Sequence, residues 1–312
     1  MQPNELEIPA KLSGERLDAI LAALYPSHSK SALQKLVRRG AVTLDGKRVV
    51  RSNVRPRPKA LVHIDLPVAA SKEAAIPVLF EDEHLVVLDK PAGMLTHGHE
   101  REEGTSLADV AVQRFGRLPM LMGEERPGVV HRLDRETSGA IVLARTPTAM
   151  ERLREAFRGR SVRKEYLALV HGSSREDAFV VDAPLGPMEG HRDRQVIRHD
   201  DQGKAARTEF EVRERFGRHS LVACRLITGR RHQIRVHLLE AGLPLVGDKL
   251  YGARDAKALP VGAPALVHHA LHAARIGFEH PVLGGDVEVE APPRAEIAEL
   301  IEWLRSRSSE IR

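Results

Sequence analysis

Gly128-Val129-Val130-His131-Arg132-Leu133-Asp134-Arg135-Glu136-Thr137-Ser138-Gly139-Ala140-Ile141-Val142-Leu143 is the stretch on which the reading of this chain turns. Val129-Val130 reads as the end of one buried strand, and residues 140–143 as the start of another. Between them lie a His, two Arg, an Asp, a Glu, a Thr and a Ser, closed by Gly139. A plain surface turn needs no more than one Asn-Gly or Asp-Gly. A carboxylate held among cations at a strand end, on apolar scaffold, is how catalytic loops are presented. An ion-paired turn has the same composition, so the flanking sequence must decide.

Upstream, Val78-Leu79-Phe80 and Leu85-Val86-Val87-Leu88 are strand-like. The second ends in Asp89-Lys90-Pro91-Ala92-Gly93, where the chain turns. Thr105 or Ser106 can cap a short helix through Leu107, Val110 and Ala111. Downstream, Thr146-Pro147 is an N-cap and first-turn proline for a helix that turns Met150, Leu153 and Phe157 inward and ends near Gly159. Residues 162–170 alternate as a strand carrying Lys164 and Tyr166. Residues 184–206, rich in Gly, His, Asp and Arg, read as a mobile loop or loose hairpin. Residues 208–216 and 220–227 are two more strands, expected to pair. Ile234, Leu238 and Ala241 share one helical face, which Gly242 ends, and Ile297, Leu300, Ile301 and Leu304 mark a C-terminal helix. Without a regular βαβ rhythm, the expectation is an α+β fold with a central mixed, mainly antiparallel sheet flanked by helices.

Bulk properties narrow the class. In 312 residues no apolar run reaches the roughly 18–20 that a membrane span needs, and the N-terminus lacks the basic-then-apolar order of a signal peptide. Cys224 is the single cysteine, so neither an internal disulfide nor a CxxC knuckle can form. A cytoplasmic protein is expected. The net charge is +5, but residues 26–60 hold ten Lys or Arg against Asp45 alone. That segment carries +9 and the other 277 residues sum to −4. Basicity confined to one small module is the footprint of a polyanion partner.

The module itself is legible. Leu17, Ile20, Leu21 and Leu24 define a helix that Pro26 stops; Ser31 with Gln34 makes a capping-box pattern for a second, with Leu33, Leu36 and Val37 inward. Lys35, Arg38 and Arg39 lie near its C-terminal end and Gly40 suits the position beyond it. Val42-Thr43-Leu44, Asp45-Gly46 and Lys47-Arg48-Val49 form a hairpin with a two-residue turn. Tyr25 is the one aromatic near it, so phosphate contacts to structured RNA fit better than base stacking. Residues 67–75 read as a linker, giving an expected division into 1–72 and 73–312.

Sixteen histidines raise the question of a metal. His268 and His272 lie at i, i+4 and His97 and His99 at i, i+2, yet neither pair has the Glu of an H-E-x-x-H helix or a cysteine pair nearby. There is no G-x-G-x-x-G, G-x-x-x-x-G-K-[ST] or G-x-S-x-G. The expectation is chemistry from Asp, Arg, Lys, Tyr and His, with no metal and no cofactor.

The helix–helix–hairpin order of Arg16-Leu17-Asp18 through Gly40-Ala41-Val42-Thr43-Leu44-Asp45-Gly46-Lys47 resembles an S4 RNA-binding domain. His131-Arg132-Leu133-Asp134-Arg135-Glu136-Thr137-Ser138-Gly139 resembles the catalytic motif of the RluA family of pseudouridine synthases. Asp89-Lys90-Pro91-Ala92-Gly93, Lys164-Glu165-Tyr166, Thr228-Gly229-Arg230-Arg231-His232-Gln233-Ile234-Arg235-Val236-His237-Leu238 and Gly247-Asp248-Lys249-Leu250-Tyr251-Gly252 are similar to its other motifs, in the family's order. One departure is His97-Gly98-His99, where members often show His-Pro-Gly.

The resemblance implies isomerisation of a uridine in RNA, most naturally in large-subunit ribosomal RNA given the S4 module; separately, a monomer is expected. It makes Asp134 the catalytic carboxylate, Arg235 its charge partner and Tyr166 the residue that stacks on uracil. Asp134 can attack C1′, add to C6 or remove a ribose proton, and the sequence leaves all three open. Arg132 is a candidate to fill the space of a flipped base, Lys164 to meet phosphate, and Arg230 and His232 to contact RNA. Lys35, Arg38, Arg39, Lys47 and Arg48 are the module's candidate RNA contacts. The competing readings are a tRNA target, an RNA chaperone with a degenerate site, and a metal-dependent RNA hydrolase.

Overall fold

The computed structural model describes residues 5–25, 30–38, 40–64, 76–98, 105–120, 126–252 and 259–309. Pro26, Arg39, His99, the 67–75 segment and the side chains of Ser31 and Lys35 lie outside the described residues.

The first unit runs β1 (Glu5–Glu7), α1 (Leu17–Leu24), α2 (Lys30–Arg38), β2 (Val42–Leu44), β3 (Lys47–Val49) and β4 (Leu61–Ile64). Helical spacing works as read: Leu17, Ile20, Leu21, Leu33 and Val37 are buried together over Val42, Val62 and Ile64. Gly40, at φ +71°, ends α2. Its N–H donates to Val37 O and that of Ala41 to Leu36 O, both 2.9 Å, a Schellman pair. Asp45 and Gly46, at φ +49° and +75°, form the left-handed turn that matches strand twist. The sheet order is β1-β4-β2-β3, antiparallel throughout. β1 and β4 were not anticipated.

The second unit runs β5 (Val78–Glu81), β6 (Leu85–Lys90), α3 (Leu107–Phe115), β7 (Ser138–Ala144), α4 (Pro147–Gly159), β8 (Arg163–His171) and β9 (Ala178–Asp182). It continues through β10 (Leu185–Met188), β11 (His191–Ile197), β12 (Arg207–Phe216), β13 (His219–Leu226), α5 (Gln233–Glu240), β14 (Leu271–Glu279), β15 (Asp286–Glu290) and α6 (Ala295–Ser309). Among the described residues the sheet has nine strands in the order β5-β6-β7-β14-β8-β13-β12-β9, with β15 on β14. Only β7–β14 is parallel, through His272↔Ser138 and Ala273↔Gly139. Ser106 caps α3 in a capping box with Asp109, and Thr146 caps α4 ahead of Pro147.

β7 is buried at every position. Its alternation sorts two cores: Ile141 and Leu143 face α3 and α5 residues such as Leu107, Ala111, Ile234 and Leu238, while Ala140 and Val142 face Met150 and Leu153 of α4. Gly139 is fixed by sterics. It sits at φ +109°, and a Cβ there would stand 2.3 Å from Ala273 O.

One expectation needs correction. Val129-Val130 is not a strand: Gly128, at φ +70°, turns the chain, and only Val129 makes an isolated bridge, to Leu143. Of the two readings of the 184–206 stretch the hairpin holds: β10 and β11 pair antiparallel, tied down where Leu185 bridges Lys204.

Candidate active site

The 131–137 segment leaves Gly128 and enters β7, and its backbone is pinned on several sides. Thr96 Oγ1 accepts the Leu133 N–H (3.2 Å) and donates to Leu133 O (3.0 Å). Gly93 N–H donates to Arg135 O at 2.9 Å, and Thr137 N–H to Asp134 O at 3.1 Å. Lys90 is fully buried beneath, donating to the carbonyls of Pro91, Met94 and Arg135 at 2.9, 2.7 and 3.1 Å. Burial pulls its pKa down to about 7, while three carbonyl acceptors and the nearby Asp134 and Glu136 favour the ammonium. Thr137 Oγ1 and Ser138 Oγ each meet a buried histidine at 2.9 Å, His269 and His272. His131 Nε2 accepts the Val142 N–H (3.1 Å) and its ring stacks on Phe157 at 4.4 Å. Burial pushes His131 down to about 3, so it is neutral and locked.

What this frame presents is Asp134, whose side chain is 18% exposed. Arg235 Nη1 donates to Asp134 Oδ2 at 3.2 Å. Arg235 is buried on α5. Its other edge is held bidentately by Asp248, Nε to Oδ2 at 2.7 Å and Nη2 to Oδ1 at 2.9 Å. Burial works against the guanidinium, but Asp248 and Asp134 outweigh it and hold it above its ordinary value. Asp248 is itself fixed by the N–H groups of Leu250 and Tyr251, at 2.9 and 3.0 Å. Burial opposes its charge too, yet Arg235 keeps it below the usual carboxylate range. One cation thus bridges two carboxylates, and the one facing the cleft is the less firmly held.

Asp134, Tyr166, Arg235, Arg132, Lys164, Arg230 and His232 all line a single cleft of about 550 Å³, within the range of small-molecule sites. Tyr166, on β8, is buried; burial and the nearby Asp134 raise its phenol, so it stays protonated. His232 opens α5 at φ +59°, and burial takes it down to about 4. Its Nδ1 lies 2.8 Å from Tyr251 Oη, which accepts the Gln195 N–H at 2.7 Å. The assignment that uses every proton has Tyr251 donating to Nδ1, which leaves the proton on Nε2, a nitrogen 3.9 Å from Asp134 Oδ2. Arg132 is exposed at the lip. Lys164, its pKa lowered by burial, lies 5.8 Å over Phe157, and Arg230 Nε donates to Ala205 O at 3.1 Å. Arg38, Lys47 and Arg48 are exposed in the first unit, where Arg48 Nε donates to Gly40 O at 2.8 Å.

Asp248, Lys90 and Gln233 were missed as site residues although their motifs were quoted. Gln233 is buried and ties Thr228 and the Arg230 N–H (2.7 and 3.0 Å) to Thr208 of β12 (2.9 Å). Asp and Lys beside Gly or Pro read as solvated turns, and only the tertiary fold buries them. His268 and His272 do not share a helix: His272 sits on β14, bonded to Ser138 and Ala291 O, and His268 pairs with Glu136. Among the described residues no three His, Cys, Asp or Glu form a metal-holding group.

A carboxylate bridged to a buried arginine, beside a protonated tyrosine in a nucleoside-sized cleft, suits work on a sugar–base bond. Residues 84–240 match the family model for RNA pseudouridylate synthase and residues 15–62 that for the S4 domain. The chain belongs to the RNA pseudouridylate synthase family. It is similar to ribosomal large subunit pseudouridine synthase D of Xanthomonas campestris, with 38% identity across 97% of this chain and 92% of that one. An uncharacterized RNA pseudouridine synthase of Bacillus subtilis is 36% identical over 97% of this chain and 99% of its own length. Among solved structures, human RNA pseudouridylate synthase domain containing 4 superposes with a TM-score of 0.58 at 27% identity, covering 73% of this chain and 92% of that one.

Proposed function

We propose that this protein converts uridines of large-subunit ribosomal RNA to pseudouridine with Asp134 as the reacting carboxylate. The observation that carries this reading is Asp134 Oδ2 held 3.2 Å from the buried Arg235 in a cleft lined by Tyr166. The target uridine leaves its stack, an unpairing that costs about a few kcal/mol. The N1–C1′ bond breaks, the uracil turns over while bound, and C5 bonds to C1′. C5 then loses its proton and N1 gains one, so the product is an isomer and nothing else is consumed. Asp134 acts at the ribose or base, oriented by its hydrogen bond from Arg235 at the edge of the cleft. Tyr166 stacks on the uracil with its hydroxyl toward C5, and Arg132 fills the vacated stack. Lys164, Arg230 and His232 meet the nucleotide around the cleft.

The division at residue 72 belongs to the same reading, supported by two separate sheets and two family matches. Residues 1–72 hold structured RNA by phosphate contacts, through Lys35, Arg38, Arg39, Lys47 and Arg48. The names of relatives such as that of Xanthomonas campestris support the ribosomal target. Mapping pseudouridines in total RNA from a deletion strain tests it. Loss of at least one large-subunit position, restored by the wild-type gene and not by Asp134→Asn, is expected. Losses confined to tRNA would overturn the ribosomal target, and no loss would overturn the activity.

A further inference from the structure

Exposed cations of the catalytic unit differ in their partners. On the large sheet several meet carboxylates: Arg163 with Asp286 at 2.7 Å, Arg275 with Glu288 at 3.2 Å, Arg225 with Glu165 at 3.4 Å. Arg158 and Arg160, at the C-terminal end of α4, line the same cleft as Asp134 and are exposed. Among the described residues neither guanidinium has a carboxylate in ion-pairing range or a hydrogen-bond acceptor.

Arg160 carries a second signal. It caps α4 in the left-handed region, φ +61° and ψ +26°, where glycine is the unstrained choice. Glycine stands one residue earlier, at 159, inside the helix. A side chain kept at a strained backbone position, with no partner in the fold, is the pattern of a group retained for a ligand. Two guanidiniums at a nucleoside-sized cleft match phosphodiester oxygens in charge and fork geometry. Arg230, from the loop before α5, lines the same cavity, as do Arg132 and Lys164.

Resting on the reading of the cleft as a uridine site, we infer that Arg158 and Arg160 clamp the backbone phosphates of the RNA strand that delivers the target nucleotide. They act on binding and register rather than on the bond rearrangement. The test compares wild type, Arg160→Gly, Arg160→Lys, Arg158→Ala and, as a charge-matched control from the sheet, Arg275→Ala. The readouts are tritium release from ribosomal RNA labelled at uracil C5, filter binding of that RNA against salt, and melting temperature.

Arg160→Gly and Arg158→Ala are expected to raise KM about 5- to 10-fold with kcat within about 2-fold, and to flatten the log–log salt slope by about 0.7–0.9 each, one phosphate contact apiece. Arg160→Lys is expected to keep the slope, and Arg275→Ala to match wild type. Arg160→Gly is also expected to melt at or above the wild-type temperature, because it removes strain. Wild-type KM and slope in the cleft variants of an active enzyme would overturn the clamp and leave the synthase reading standing. So would an Arg160→Gly protein whose weaker binding simply follows a lower melting temperature. If wild type releases no tritium, the synthase reading fails, and the binding slopes still decide the clamp.

Discussion

The two units hold arginine charge in opposite ways. In the first, Arg38, Lys47 and Arg48 are exposed on a segment that carries +9. In the cleft, Arg235 is buried, with three of its guanidinium nitrogens bonded to Asp134 and Asp248. Surface cations give affinity that salt screens, and they tolerate exchange. A buried bidentate cation gives geometry, and removing one partner strands the other in low dielectric. On the proposed reading, the same side-chain chemistry serves binding in one place and positioning in the other.

The largest break in that comparison is Arg235→Lys. An ammonium cannot reach Asp134 and grip both Asp248 oxygens, so kcat should fall about 10²-fold or more, roughly 3 kcal/mol, with KM little changed. Arg48→Lys should change KM less than about 2-fold in the same assay. Equal effects of the two exchanges would remove the distinction.

Backbone support should divide the units in the same way. Gly139→Ala pushes a Cβ into the Ala273 carbonyl and amide, while a Cβ at Gly46 meets nothing within 4 Å. Chemical denaturation should show Gly139→Ala losing at least about 2–3 kcal/mol, and Gly46→Ala only the left-handed strain of about 1–2 kcal/mol.

A third contrast is electrostatic. Replacing Arg38, Lys47 and Arg48 together by Ala should raise KM about 10-fold, leave kcat unchanged and flatten the salt slope by about 2–3. A fall in kcat at saturating RNA would show that these residues do more than bind.

The last effect is gradual and set by pH. Burial holds His131 near 3 and His232, His269 and His272 near 4, all below the ordinary 6.5. Their depressed folded values mean that the unfolded chain takes up protons first as pH falls. The four are neutral in both states above pH 6.5, and folded stability then drops between about 6.5 and 4. The slope is at most about 1.4 kcal/mol per pH unit for each histidine. Melting temperature against pH checks this, and His272→Asn should make the decline shallower.

Much of the fold was legible because local patterns agree with their tertiary roles. Leu17, Ile20 and Leu21 face the core they predict, Thr146-Pro147 opens its helix, and Asp45-Gly46 turns its hairpin. Long-range pairing was not legible. Ser138 and Gly139 lie beside His272 and Ala273 only in the folded sheet, and nothing near either residue records it. Val129 and Val130 have strand composition, but Gly128 turns the chain and leaves one bridge. In the site, Asp134, Tyr166 and Arg235 came from motif resemblance and converge on one cleft. Asp248 and Lys90 escaped because a charged residue beside Gly or Pro looks solvated, whereas here burial is paired with complete hydrogen bonding. Arg160 escaped for a different reason: its left-handed backbone has no sequence signature once glycine stands one position early.

The central claim is that one carboxylate, Asp134, carries the isomerisation while Arg235 and Asp248 hold it in place. Tritium release from ribosomal RNA labelled at uracil C5 tests it most directly, comparing wild type with Asp134→Asn at saturating RNA. The variant keeps shape and RNA binding, so release is expected from wild type and none above background from Asp134→Asn, with RNA affinity within about 2-fold. Turnover by Asp134→Asn near the wild-type rate would contradict the account.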